Sequence, residues 1–217
     1  TGLATTANSA TVDTNLSRLR LQSGTNAAGS AIFTSRRIAR YRAGEGMVAR
    51  FTAAWTTSAA SSTQIVGVGT PTVSSISDGY FFGFNGTSFG ILHRNSGTGT
   101  LVDTWISQSS WNGDACNGNG PSGFNWDKTK GIPMQIVYPF LGYGNIRFMV
   151  QDPATGRWIT VHTIKYANTL TTVQASNPNF LFFAQSLNSG STTNLTIHCG
   201  SVGIFISGVR SLIGNTK

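Results

Sequence analysis

FFGFNGTSFGILHR, residues 81–94, sets an aromatic run and an aliphatic run on either side of Asn85-Gly86. Asn and Gly tolerate the positive φ angles of a two-residue hairpin loop, so this stretch reads as two antiparallel strands joined by a tight turn. IRFMVQDPATGRWITVHTI, residues 146–164, repeats the arrangement around Asp152-Pro153-Ala154-Thr155-Gly156. There Pro153 presets φ, and Gly156 closes the loop in a left-handed conformation. Along the first arm Ile146, Phe148 and Val150 alternate with Arg147, Met149 and Gln151; along the second, Ile159, Val161 and Thr163 alternate with Trp158, Thr160 and His162. One side of each strand is set to pack inward.

Working outward, short runs punctuated by Gly, Asn and Pro predict strands at 47–55, 64–68, 79–85, 88–94, 101–106, 133–138, 144–151, 157–165, 180–185, 193–199 and 202–207. No convincing helix interrupts them. The expectation is an all-β chain folded as a two-sheet antiparallel sandwich. The start of the chain reads differently. Leu16 to Leu21 alternates imperfectly, and a Gly/Ala/Ser cluster at 25–30 looks like a hinge. Residues 1–35 are therefore expected to form an N-terminal, arginine-containing arm or edge strand ordered by docking on something else, with 36–217 as a single β-sandwich domain.

Charged residues are only 10% of the chain against a usual share of about 25%. The formal charge is nevertheless +8, and Arg18, Arg20, Arg36, Arg37, Arg40, Arg42 and Arg50 fall in the first fifty residues beside only Asp13 and Glu45. This segment suits contact with nucleic acid or another acidic partner surface. A solvated face, or arginines paired across a subunit boundary, fits better, because Leu, Ile, Ala and Tyr interrupt the run. No stretch approaches the roughly 18 apolar residues of a membrane helix, so no membrane partner is expected. Because the chain begins at Thr1 without Met, it is expected to be a processed product or an excerpt of a longer chain. Cys116 and Cys199 allow one disulfide or two separate buried thiols. Sequons at Asn15, Asn85 and Asn194 matter only in a secretory pathway.

The chain offers little to catalysis. Glycoside hydrolysis needs two carboxylates about 5 to 9.5 Å apart, but Glu45 is the only Glu and Asp78, Asp103, Asp114, Asp127 and Asp152 are scattered through turn-like contexts. His93, His162 and His198 have no metal-site spacing, and His198-Cys199 cannot form a simple dyad because adjacent strand residues point to opposite faces. GVGT at 67–70 lacks the lysine of a phosphate loop. No enzyme activity, metal or other cofactor is expected. The one site-like region is the loop 107–130, SQSSWNGDACNGNGPSGFNWDKTK. Trp111, Asn112, Asp114 and Trp126 combine flat apolar faces with hydrogen-bonding groups, the mixture that sugar recognition uses. The same aromatics would anchor a long loop to its own domain, and that reading fits better.

RYRAGEGMVARFTAAW (40–55), QIVGVG (64–69), DGYFFGFNGTSFGILHRNSG (78–97) and WNGDACNGNGPSGFNWDKTKGIPMQIVYPFLGYGNIRFMVQDPATGRWITVHTIKYAN (111–168) resemble, in wording and order, a family of poorly characterised proteins of large DNA viruses and phages. The resemblance implies a virion structural or surface component and brings no catalytic residues. The Gly-Tyr-Gly and Asp-Pro-Ala-Thr-Gly turns between strands also look like those of jelly-roll, concanavalin-A-like or laminin-G-like sandwiches, a likeness of architecture. Two functions follow as expectations. One is a non-enzymatic module of a virus particle that self-assembles into a homo-oligomer and contacts other virion proteins, with Arg18, Arg20, Arg36, Arg37, Arg40 and Arg42 as contact residues. The other is a lectin-like glycan-binding domain for host attachment.

Overall fold

The computed structural model describes residues 2–72, 75–97, 99–169, 171, 173 and 175–207. These contain β1 (Gly2–Ala7), β2 (Thr11–Asn15), β3 (Arg18–Gln22), β4 (Ser30–Ser35), β5 (Gly46–Trp55), β6 (Ser62–Pro71), β7 (Ile76–Asn85), β8 (Ser88–Asn95), β9 (Val102–Ser107), β10 (Ile132–Pro139), β11 (Ile146–Gln151), β12 (Trp158–Ile164), β13 (Leu181–Asn188) and β14 (Thr196–Ser207). A single 3-10 turn, Gln108–Ser110, is the only helical element among them. The strands form two seven-stranded antiparallel sheets. Sheet I runs β1-β4-β13-β6-β7-β8-β9 and sheet II runs β12-β11-β10-β5-β14-β3-β2.

The period-2 pattern places the core between them. Tyr80 and Phe82 of β7 point inward from sheet I and meet rings of sheet II. Phe82 lies 5.3 Å from Phe148 and 6.4 Å from Phe51, and Tyr80 lies 5.5 Å from Tyr138, centroid to centroid. Such tilted and edge-on pairs each add about 0.5–1.5 kcal/mol beyond the area they bury. A second apolar cluster, Ile65, Ile76, Phe81, Leu92, Leu181 and Phe183, sits on the other face of sheet I. Glycines make room for it: a Cβ at Gly67 would lie 2.8 Å from Phe81 Cα, and one at Gly79 would collide with the Phe81 ring. β6 and β7 therefore bury both faces, which is why their sequences read as nearly continuous apolar runs.

Both hairpins form, with local differences. Asn85 pairs with Ser88, so the first loop is Gly86-Thr87, and only Gly86 has positive φ, at 59°. The left-handed residue is the glycine in the first central position. In the second hairpin, Gly156 takes φ 70° and donates its N–H to Asp152 O at 2.8 Å. The pairing of β11 with β12 slips between Phe148 and Met149, and this bulge buries both Val161 and His162, breaking the expected alternation.

Of the two expectations for residues 1–35, an arm or an edge strand, the described residues form strands of both sheets. Residues 2–35 supply four strands: β1 and β2 are edge strands, while β4 pairs with β13 from Ser30 to Thr34 and β3 pairs with β14. No hinge or domain boundary falls at residue 35, because β4 lies between β1 and β13 inside sheet I. β1 and β2 are largely exposed, so small polar residues satisfy them and no alternation marks them. The β2–β3 turn is equally cryptic, since Leu16 and Ser17 take φ 49° and 59° without the usual Gly or Asn. The disulfide is absent as well. Cys116 and Cys199 are separate buried free thiols, each pushed up to about 12 by burial.

Connections leave the sandwich at two ends. Residues 36–45, 72–75, 96–101, 140–145 and 165–180 join strands at one end, called the arginine end below. Residues 23–29, 56–61, 86–87, 108–131, 152–157 and 189–195 lie at the opposite, tryptophan end.

Candidate functional site

The structure brings Trp111, Asn112, Asp114 and Trp126 together at the tryptophan end but commits all four to holding the loop down. Trp111 is 7% exposed and Trp126 3% exposed; their rings pack on Phe82 and Phe89. Asn112 replaces a strand partner for the edge of β12. Its Nδ2 donates to Thr163 O at 2.8 Å, its Oδ1 accepts from Thr163 N at 2.8 Å, and its own N–H donates to His162 Nδ1 at 3.2 Å. Gly113 N and Asp114 N continue this cover onto Val161 O and Thr160 O. The Asp114 carboxylate accepts N–H bonds from Cys116 and Ser122, both at 2.8 Å. Burial pushes its pKa up, but the bonds from Ser122 and Cys116 outweigh that and hold it below the usual carboxylate range. Lys128 closes the loop by donating to Trp126 O at 2.9 Å. Neither tryptophan ring is exposed enough to stack on a ligand.

The other chemistry-bearing groups are also structural. His162 is buried, and burial lowers its pKa. Cys199 points into the core while His198 is half-buried on the opposite face, where burial, Arg18 and Arg20 lower its pKa. Asp78 is fully buried and accepts bonds from the hydroxyls of Ser77, Ser96 and Ser176 at 3.0–3.1 Å. It ties β7 to the connections 96–101 and 165–180. Among the described residues, no group of three or more His, Cys, Asp or Glu could hold a metal ion.

The arginines divide into two sets. Arg20 of β3 donates through Nε and Nη2 to Asp13 at 2.9 and 2.6 Å, a fork that holds the Asp13 carboxyl below its usual range. Arg18 starts the same strand, half-buried. Arg36, Arg37, Arg40 and Arg42 all lie exposed on the 36–45 connection at the arginine end. Arg42 approaches Glu45 at 3.8 Å, and no carboxylate of the described residues is in ion-pair range of the other three.

Around this basic loop stand side chains that sequence reasoning did not single out. Tyr41 and Tyr143 are each 44% exposed and Leu141 is 64% exposed. The two tyrosines are braced. Tyr41 rests edge-on against buried Phe140 at 5.4 Å, and its N–H donates to Asn179 Oδ1 at 2.8 Å. The Tyr143 hydroxyl donates to Thr171 O at 3.0 Å, and Phe140 N donates to Glu45 O at 2.8 Å. Thr70 Oγ1 donates to Asn177 O, and Tyr166 N donates to Asn145 Oδ1 at 3.0 Å, so the connection 165–180 locks the end across both sheets. Beside the loop opens a cleft of about 620 Å³ lined by Arg37, Ile38, Phe182, Val202, Ile204 and Ile206. The sequence held one clue: LGYG at 141–144 places a tyrosine between two glycines, where no neighbouring side chain can cover it.

No protein-family model and no curated protein matches the chain. Solved structures do match. The legume lectin-like domain from Entamoeba histolytica is similar over 95% of this chain and 90% of its own, with TM-score 0.55 and 10% identity. A functionally unknown protein from Saccharomyces cerevisiae matches over 96% of this chain and 97% of its own, with TM-score 0.52 and 7% identity. HCR/D-Sa-GBL1/C matches over 94% of this chain with TM-score 0.52 and 15% identity; there the matched region spans 43% of the longer chain. The architecture is a lectin-like, jelly-roll β-sandwich.

Proposed function

We propose that this chain is a non-catalytic glycan-recognition domain and that its site is the arginine end. The observation that carries the reading is the pair Tyr41 and Tyr143, half-exposed rings fixed by Phe140 and Thr171 at one end of a lectin-like sandwich. Fixed aromatic faces stack on the apolar face of a sugar ring at little entropic cost, and neighbouring hydrogen-bonding groups set its orientation. Binding without turnover fits the carboxylates of this end: Asp78 is buried among serine hydroxyls and Glu45 faces Arg42. A glycan array probed with the purified chain should show selective binding that Tyr41→Ala or Tyr143→Ala lowers at least about tenfold. An empty array, or binding indifferent to both substitutions, would overturn the reading.

A role in a virus particle is a second proposal. It is supported by the resemblance of residues 40–168 to virion proteins and by the incomplete edge of sheet II described below. The two roles are compatible in an attachment module. Presence of the chain in purified particles would support it, and its absence from them would end it.

A further inference from the structure

Sheet II lacks part of a strand. β5 pairs with β14 from Ile197 to Ser207, but β3 pairs with it only from Thr196 to Cys199. Gly200 and Ser201 then bulge, both donating N–H bonds to Thr52 Oγ1 at 3.0 Å. From Val202 to Ser207 the second edge of β14 has no strand beside it among the described residues. The cleft beside the arginine loop runs along this edge, with Val202, Ile204 and Ile206 on one side and Arg37, Ile38 and Phe182 among the residues facing them.

The other edges among the described residues are covered, charged or made mainly of small and polar residues, whereas the β14 edge is apolar. The β12 edge is covered by the backbone of Asn112–Asp114. Asp13 lies on β2, and Asp103 on β9 is paired with Arg94 at 2.7 Å. β1 is short, largely exposed and composed mainly of small and polar residues. The β14 edge, VGIFIS, has no charge and no proline, and Val202 and Phe205 are 45% and 55% exposed.

We propose that this edge accepts an extended segment of a partner protein as an added strand, with apolar side chains at alternate positions and a carboxylate meeting Arg37. The backbone of β14 supplies the unmet ladder hydrogen bonds, and the Val202, Ile204, Ile206 row supplies the pockets between alternate side chains. Among the described residues Arg37 is the one charged side chain in the cleft lining, and Arg36 and Arg40 lie exposed on the same connection. Their positive field selects an acidic segment. It disfavours a second copy, which would bring its own arginine loop and a formal charge of +8 to the same place.

A random linear peptide library displayed on phage, selected against the full chain, tests this. Enrichment of peptides that alternate apolar residues around one Asp or Glu is expected. Their binding should fall at least about tenfold in Val202→Lys, which places a charge on the edge, and in Arg37→Glu, with melting temperatures unchanged. Amide NMR of the complex should shift residues 202–206 and 35–39. No enrichment, enriched basic peptides, binding unaffected by both substitutions, or dimerisation of the chain through this edge in sedimentation experiments would each overturn the proposal.

Discussion

The two ends of the sandwich use aromatic side chains in opposite ways. At the tryptophan end a long connection, 108–131, folds Trp111 and Trp126 beneath itself and leaves them 7% and 3% exposed. At the arginine end short connections present Tyr41 and Tyr143 at 44% exposure above a braced floor. The difference is one of length and support. A long loop with no strand partner must make its own core and cover its backbone polar groups, and aromatic and amide side chains do that efficiently. A short loop already fixed by its strands has aromatic surface left to offer. Aromatic composition alone therefore does not tell a buried anchor from an exposed ring.

The contrast can be broken most forcefully at Trp126. Replacing it by Ala should cost about 3–5 kcal/mol in urea unfolding, since its ring is shared by Trp55, Phe82, Phe89 and Trp111. A loss near zero would mean that the loop is not part of the core. Asp114→Ala should cost about 2–3 kcal/mol, because the N–H groups of Cys116 and Ser122 lose a charged acceptor. Hydrogen exchange should then rise within 108–131 and leave 36–45 unchanged.

Acid should separate the ends further. Burial holds the His162 imidazole below 6.5, so the native state binds fewer protons than the unfolded chain. The stability that His162 contributes is fully present above pH 6.5 and is lost as pH falls through its depressed native value. Because His162 Nδ1 accepts the N–H of Asn112, exchange in the 108–131 loop should rise first in that window. His162→Gln should remove that part of the pH dependence; an unchanged profile would show that another group governs it. Smallest in stability are Tyr41→Ala and Tyr143→Ala, expected within about 1 kcal/mol of the parent by thermal unfolding although both should lose glycan binding.

The legible parts of the chain were those where one face is wet and the other dry. β11 shows this clearly, with Ile146, Phe148 and Val150 inward against Arg147, Met149 and Gln151. β14 was legible as two segments because the bulge at Gly200-Ser201 interrupts its period. β1 and β2 were not recognised as strands and β3 was read only as an arm or edge strand, since largely exposed edges impose no period and the Leu16-Ser17 turn lacks Gly and Asn. Of the two roles open to the 107–130 loop, ligand contact and self-anchoring, the structure shows the second. Burial of Trp111 and Trp126 depends on Phe82 and Phe89, which are distant in sequence and meet them only in the folded sandwich. The arginines of 36–45 were visible in advance as an interrupted basic segment with few acids beside it.

The most direct test of this account is an amide NMR titration of the full chain with the glycan that binds it best on an array. The account predicts that the largest shifts fall in residues 36–45, 140–145 and 165–180 and that 108–131 stays still. Shifts centred on Trp111, Asn112 and Trp126, or no shift at either end, would contradict it.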